Sequence, residues 1–180
     1  MAVFTVIDHT EIGTGGAASW SAASIASSYD HLLLKASIRS ERAGAVSEQM
    51  AVTLNGSTST SDYSSLYLYA STTTPDAGHA TTGDFGSWKY GQAPGPNALA
   101  DTFAAWTLWI PNYADTVGFK SGILNVAFEN NLTASDKWQV MALAGLFHST
   151  AAIDEIEIVC YNGADIAEFS TFTLYGVKGA

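Results

Sequence analysis

Residues 31–40 read HLLLKASIRS, and the alternation inside that stretch decides the fold. Leu32, Leu34, Ala36 and Ile38 fall on one side, with Leu33, Lys35, Ser37 and Arg39 on the other. Successive side chains of a strand point to opposite faces, so this period of two marks a half-buried β-strand. Residues 49–54 repeat the pattern with Met50, Val52 and Leu54 inward. Asn55-Gly56 follows, the dipeptide that best tolerates the positive φ angles of a tight turn. Residues 64–70 alternate Leu66 and Leu68 with Tyr67 and Tyr69, which puts the tyrosines on the opposite face of a further strand.

Outward from this centre the same period continues. A first strand is expected within 1–12, and later ones near 102–110, 117–128, 137–148, 153–161 and 168–178. Pro111-Asn112, Asn130-Asn131, Ser149-Thr150 and Asn162-Gly163 separate them at the spacing of sandwiches and barrels. The expected fold is all-β: an antiparallel, jelly-roll-like β-sandwich of about 8–10 strands in one domain over 1–180. Residues 71–100, rich in Thr, Gly, Pro and Ala, read as a long loop carrying one short strand near 85–90. The Ala- and Ser-rich stretch 17–29 has no apolar stripe at helical spacing and reads as one helical turn at most.

Two strands carry large apolar residues on both faces: Phe103, Trp106, Leu108, Trp109 and Ile110 in one, Trp138, Val140, Met141, Leu143, Leu146 and Phe147 in the other. A single sandwich core covers one face, so the second face calls for a folded-over loop or a second subunit. Trp106, Trp109, Tyr113, Trp138 and Phe147 are therefore the candidate subunit or capsid-facing residues. Tyr67, Tyr69, Trp88 and Tyr90 are candidate ligand or interface aromatics, since flat amphipathic rings serve both purposes.

The chain has 180 residues, 47% hydrophobic and only 13% charged, which is the composition of a folded domain. Its formal net charge of −10 repels phosphate backbones and anionic lipid, so neither nucleic acid nor membrane is an expected partner. Cys160 is the one cysteine, which excludes an internal disulfide and any cysteine-rich zinc site. No run of 18 apolar residues marks a membrane-spanning helix.

Motifs for chemistry are sparse. Gly13-Thr14-Gly15-Gly16 lacks the following Lys-Ser or Lys-Thr and the third glycine of nucleotide-binding loops. His9, His31, His79 and His148 stand in no zinc-binding spacing. No strained Gly-x-Ser-x-Gly turn presents a nucleophile. Asp62, Asp76, Asp84, Asp101 and Asp115 form no spaced calcium loop. The remaining catalytic option is a pair of carboxylates: Glu155 and Glu157 share one face of a strand, as a small glycoside hydrolase or lyase would require. No cofactor, metal or catalytic residue is assigned.

Residues 31–40 together with VTLNGS (52–57), IPNY (110–113) and above all STFTLYGVK (170–178) resemble small virion proteins of tailed bacteriophages. The resemblance spans nearly the whole chain. It implies a β-sandwich assembled on the particle, often as a trimer, without catalysis. Such proteins serve either as head decoration (cement) proteins or as tail-fibre receptor-contact modules. Strands starting at Ala2 and ending near Lys178 leave no room for a shaft, so the expectation is a trimeric decoration protein on the phage head. Its expected partners are copies of itself and the major capsid protein. A carbohydrate-binding tail module is the alternative.

Overall fold

The computed structural model describes residues 3–71, 74–129 and 138–179. Among these, twelve strands form two antiparallel sheets, with a single 3-10 turn at Thr60–Asp62. In chain order they are β1 (Val3–Glu11), β2 (Ser19–Ala23), β3 (His31–Ile38), β4 (Ser47–Leu54), β5 (Tyr63–Ser71) and β6 (Thr74–Ala80). They continue with β7 (Trp88–Pro94), β8 (Ala104–Pro111), β9 (Lys120–Glu129), β10 (Trp138–Phe147), β11 (Glu155–Cys160) and β12 (Thr171–Lys178). The large sheet runs β1-β12-β3-β8-β9-β10-β5-β6 and the small one β2-β11-β4-β7. From β2 to β5 each strand crosses to the other sheet, and β6, β7, β8, β10, β11 and β12 follow the same traffic. This gives a jelly-roll-like sandwich whose large sheet is widened by the β8-β9-β10 meander and by β1 and β12. No helix among the described residues is long and apolar enough to cross a membrane.

Alternation builds the core. β9 alternates buried and exposed residues without a break, β8 does so with Ala104, Trp106, Leu108 and Ile110 inward, and Leu32, Leu34 and Ile38 of β3 meet them from the neighbouring strand. The small sheet adds Met50, Val52, Leu54, Ile156 and Ile158 to the same buried cluster. Asn55 and Gly56 take φ of 52° and 63°, and Ser57 N–H donates to Leu54 O at 3.0 Å, the turn expected from the sequence.

Large rings bridge the sheets by resting on glycines. Gly122 and Gly145 sit opposite each other on β9 and β10, and the Trp88 indole lies across both. A Cβ on Gly145 would meet it at 2.4 Å and one on Gly122 at 2.8 Å. Trp106 lies likewise over Gly91, and Tyr29 over Gly176. Trp88 Nε1 donates to Leu146 O at 3.2 Å and Trp106 Nε1 to Gln92 O at 2.9 Å, so each buried indole keeps its hydrogen bond.

Two expectations are corrected here. The stretch 71–100 carries two strands rather than one: β6 returns along β5 as a hairpin, and β7 closes the small sheet. Its Pro75 is tolerated because β6 is an edge, where a missing N–H breaks no ladder. The part that remains a loop is pinned by Arg39, which donates to Gly95 O, Leu99 O and Thr102 O at 2.8–3.0 Å. Within 17–29 the chain forms strand β2 rather than a helical turn, with Trp20 and Ala22 buried and Trp20 stacked on Phe172 at 4.8 Å.

Candidate interaction surfaces

Strand register fixes what the outer face of the large sheet presents. One row crosses seven strands: Leu66, Ala144, Ile123, Trp109, Leu33, Tyr175 and Val6. The next runs Leu68, Ala142, Asn125, Thr107, Lys35, Thr173 and His9, and a third Ala70, Val140, Ala127, Ala105, Ser37, Thr171 and Glu11. Lys35 and Glu11 are the formal charges in these rows. Leu66, Leu68, Ile123, Val140 and Val6 are each 50–64% exposed, and no described element covers them. The face is concave at one end, where Leu68, Ala70, Pro75, Ala105, Ala127, Val140 and Ala142 line a trough of about 600 Å³.

The candidate interface residues separate along this boundary. Trp109 belongs to the outer face, half-buried beside His31 at 4.9 Å. Trp106, Tyr113 and Phe147 do not, and this corrects their assignment to a subunit contact. All three are at most 2% exposed in the chain's own core. The reason is the period of two itself, which sends residue 106 inward and residue 109 outward on one strand. Tyr113 hydrogen-bonds Ala26 O through its hydroxyl, and Phe147 packs on Tyr63 at 5.1 Å. The Trp138 side chain lies outside the described residues.

A second surface wraps the free edge of β7. Inward-pointing Tyr67 and Tyr69 of β5 extend past this edge, half-buried, and Tyr90 of β7 meets Tyr67 at 4.3 Å. Tyr67 and Tyr69 are 6.0 Å apart. Phe85 stands edge-on to Tyr90 at 5.6 Å and to Tyr161 at 6.3 Å. Lys89 Nζ lies 4.1 Å from the Phe85 ring centre and 3.6 Å from that of Tyr161. Burial, with Tyr67 close by, raises the Tyr90 pKa. Of the four candidate aromatics the structure gathers Tyr67, Tyr69 and Tyr90 and buries Trp88 completely, so Trp88 is corrected to a core residue. Phe85, Tyr161 and Lys89 were not legible as partners because three separate segments bring them together.

Groups with possible chemistry are dispersed. Glu155 and Glu157 are half-buried on the outer face of the small sheet, where Glu157 accepts a hydrogen bond from Thr53 at 3.3 Å. Ser64 Oγ and His148 Nε2 lie 3.0 Å apart, with the imidazole stacked on Phe119. Lys120 is buried with its ammonium on Gly118 O and Thr150 O, and that burial lowers its pKa. Among the described residues no three His, Cys, Asp or Glu side chains converge as a metal site would need. Compared with family models, curated proteins and solved structures, the chain has no match.

Proposed function

We propose that this chain is a non-enzymatic virion structural protein of a tailed bacteriophage. Its role is that of a head decoration protein that assembles as a trimer and reinforces the shell by binding the major capsid protein. The observation that supports this reading is the uncovered outer face of the large sheet. Three rows across strands about 4.8 Å apart span on the order of 700 Å², close to the roughly 800 Å² per partner of a standard interface. Within it the first row and the β5, β10 and β9 ends of the other two are mostly apolar, and an uncovered apolar patch rimmed by polar residues marks a place where something docks.

Charge favours a copy of the same chain as one occupant. Each subunit carries a net −10, so copies repel one another except where charge is thin, and these three rows carry one Lys and one Glu. The Ile123→Glu, Leu66→Glu double variant tests the reading by light scattering on a sizing column and by co-sedimentation with undecorated phage shells. The expected result is a wild-type trimer that sediments with shells and a variant that is monomeric and stays in solution. A wild type that remains monomeric at high concentration, or a variant that assembles and binds unchanged, overturns it.

A further inference from the structure

A ring of three identical subunits cannot be closed by one patch meeting itself, since a self-complementary contact ends in a dimer. It needs two different patches, each seated on the other in the neighbouring copy. The trough at the end of the outer face is one of them. Ala70, Ala105, Ala127 and Ala142 make its floor, between Leu68 and Val140. These positions point away from the core and are exposed, so larger side chains would fit there, and alanine is a weak strand former. The hollow is thus built by the choice of small residues. Lys35 stands at its corner, donating from its ammonium to Oγ1 of the trough residue Thr107 at 2.8 Å. Among the described residues Lys35 makes no ion pair. The second patch is the loop 112–119 between β8 and β9. Val117 is 85% exposed there, the most of any large apolar residue among those described. Asp115 Oδ1 accepts from the Val117 N–H at 2.9 Å, which fixes an acid beside this knob. Ala105 in the trough and Pro111 before the loop lie about 20 Å apart at the rise of a strand, so the loop cannot fill the trough of its own chain.

We propose that the trough of each copy receives the 112–119 loop of a second copy, with Val117 on the alanine floor and the Asp115 carboxylate paired with Lys35. Every subunit then gives its loop to one neighbour and takes the loop of the other, which is the head-to-tail contact that closes a ring. The two pairings are compatible in scale. Asp115 lies at most about 7 Å from Val117 along the chain, and Lys35 is bonded to a residue of the trough wall. Charge favours the match, because the trough's corner is cationic and the knob carries an acid, in a chain whose net charge of −10 otherwise repels its copies. This inference rests on the trimer reading above and names the contact that builds it.

Sedimentation equilibrium and cysteine cross-linking of the full chain test the contact. Val117→Glu and Lys35→Glu should each weaken trimer formation about tenfold or more, and Lys35→Glu combined with Asp115→Lys should recover part of that loss. Phe169→Glu, an equal charge change on an exposed ring elsewhere, should leave assembly unchanged. Cys160, the one native cysteine, is buried, so introduced surface thiols report alone. Under mild oxidation Val117→Cys mixed with Val140→Cys should give a disulfide between the two variants, and a chain carrying both changes should run as a covalent trimer on a non-reducing gel. Val140→Cys alone should stay uncross-linked. Dimers of Val140→Cys alone overturn the proposal in favour of a twofold contact. A wild-type trimer that survives Val117→Glu, or that yields no mixed disulfide, overturns this contact and leaves the assembly reading standing, whereas a monomeric wild type sinks both.

Discussion

Gly145→Ala tests whether glycines hold the two sheets at their observed distance. The added methyl would lie 2.4 Å from Trp88 Cε2 and 2.6 Å from both Cδ2 and Nε1, against an ordinary contact of about 3.5–4.0 Å. The indole must therefore move by about 1 Å, and it has nowhere to go. It is fully buried, and its far edge already lies across Gly122 on the paired strand. Overpacking of this kind costs about 1–3 kcal/mol. Moving the ring also breaks the Trp88 Nε1 bond to Leu146 O, and a buried donor left without an acceptor costs about 1–3 kcal/mol more. Removing a glycine from a strand interior returns roughly 0.5–1 kcal/mol. The net expectation is a loss of about 1–5 kcal/mol, read in urea as a lower midpoint with an unchanged slope. Trp88→Phe in the same background should recover part of that loss, giving a coupling of at least about 1 kcal/mol in the double-mutant cycle. A Gly145→Ala variant within about 0.5 kcal/mol of wild type, or additive effects in the cycle, would refute the slot.

Three further outcomes follow from the buried polar groups. Burial, with Glu48 and Asp165 nearby, pushes the Cys160 thiol from 9.0 up to about 12, and burial pushes Tyr63 from 10.0 to about 12. Both groups hold their protons more tightly folded than unfolded, so their stabilisation is complete below pH 9 and is lost as pH rises towards 12. Lys120 acts in the opposite sense below 10.5, so the decline measured by denaturant unfolding at stepped pH should be shallower in Cys160→Ala and steeper in Lys120→Met. Arg42→Met strands the buried Glu48 carboxylate, which pairs with Arg42 at 3.0 Å and accepts from Asn162 Nδ2 at 2.8 Å. Because Arg42 is partly exposed, the expected loss is about 1–3 kcal/mol in thermal unfolding, and a change below about 0.5 kcal/mol contradicts it. Asn55→Ala removes the acceptor for Asp154 N–H and the donor to Ala152 O and places alanine at φ of 52°. A loss of about 1–3 kcal/mol is expected, and Asn55→Gly should recover only the backbone share.

The fold was legible wherever one face of a strand is buried, because burial writes the alternation into the residues themselves. β3 and β4 are such cases, and so is the Asn55-Gly56 turn. The hairpin of β5 and β6 was not legible, since β6 reads TPDAGHA and an edge strand packs too little to need an apolar side. β2 was obscured similarly by its Ser and Ala residues. The site was half legible. Leu66, Leu68, Tyr67 and Tyr69 announce two faces of one strand, but sequence alone does not reveal which face the second sheet covers. The tryptophans misled for a physical reason: their size suggested an interface, whereas glycines on facing strands, Gly122, Gly145 and Gly91, make room for them inside.

The edges of the large sheet sharpen the argument about its face. An open edge invites further strands, and both edges here are guarded. On β1 the register shifts between Val6 and Asp8, and the Asp8 carboxylate turns inward to accept from Trp20 Nε1 at 3.3 Å. A bulge and an inward charge both disfavour pairing with a new strand. On β6, Pro75 removes a donor from the edge and Asp76 adds charge. Growth by adding strands is thus discouraged at both ends, whereas nothing comparable protects the rows of Leu66, Ile123 and Val140 between them. The proposed association should therefore be face-on, and the stability of that assembly should respond to charges placed at residue 123 far more than to charges placed on the outer edge of β1.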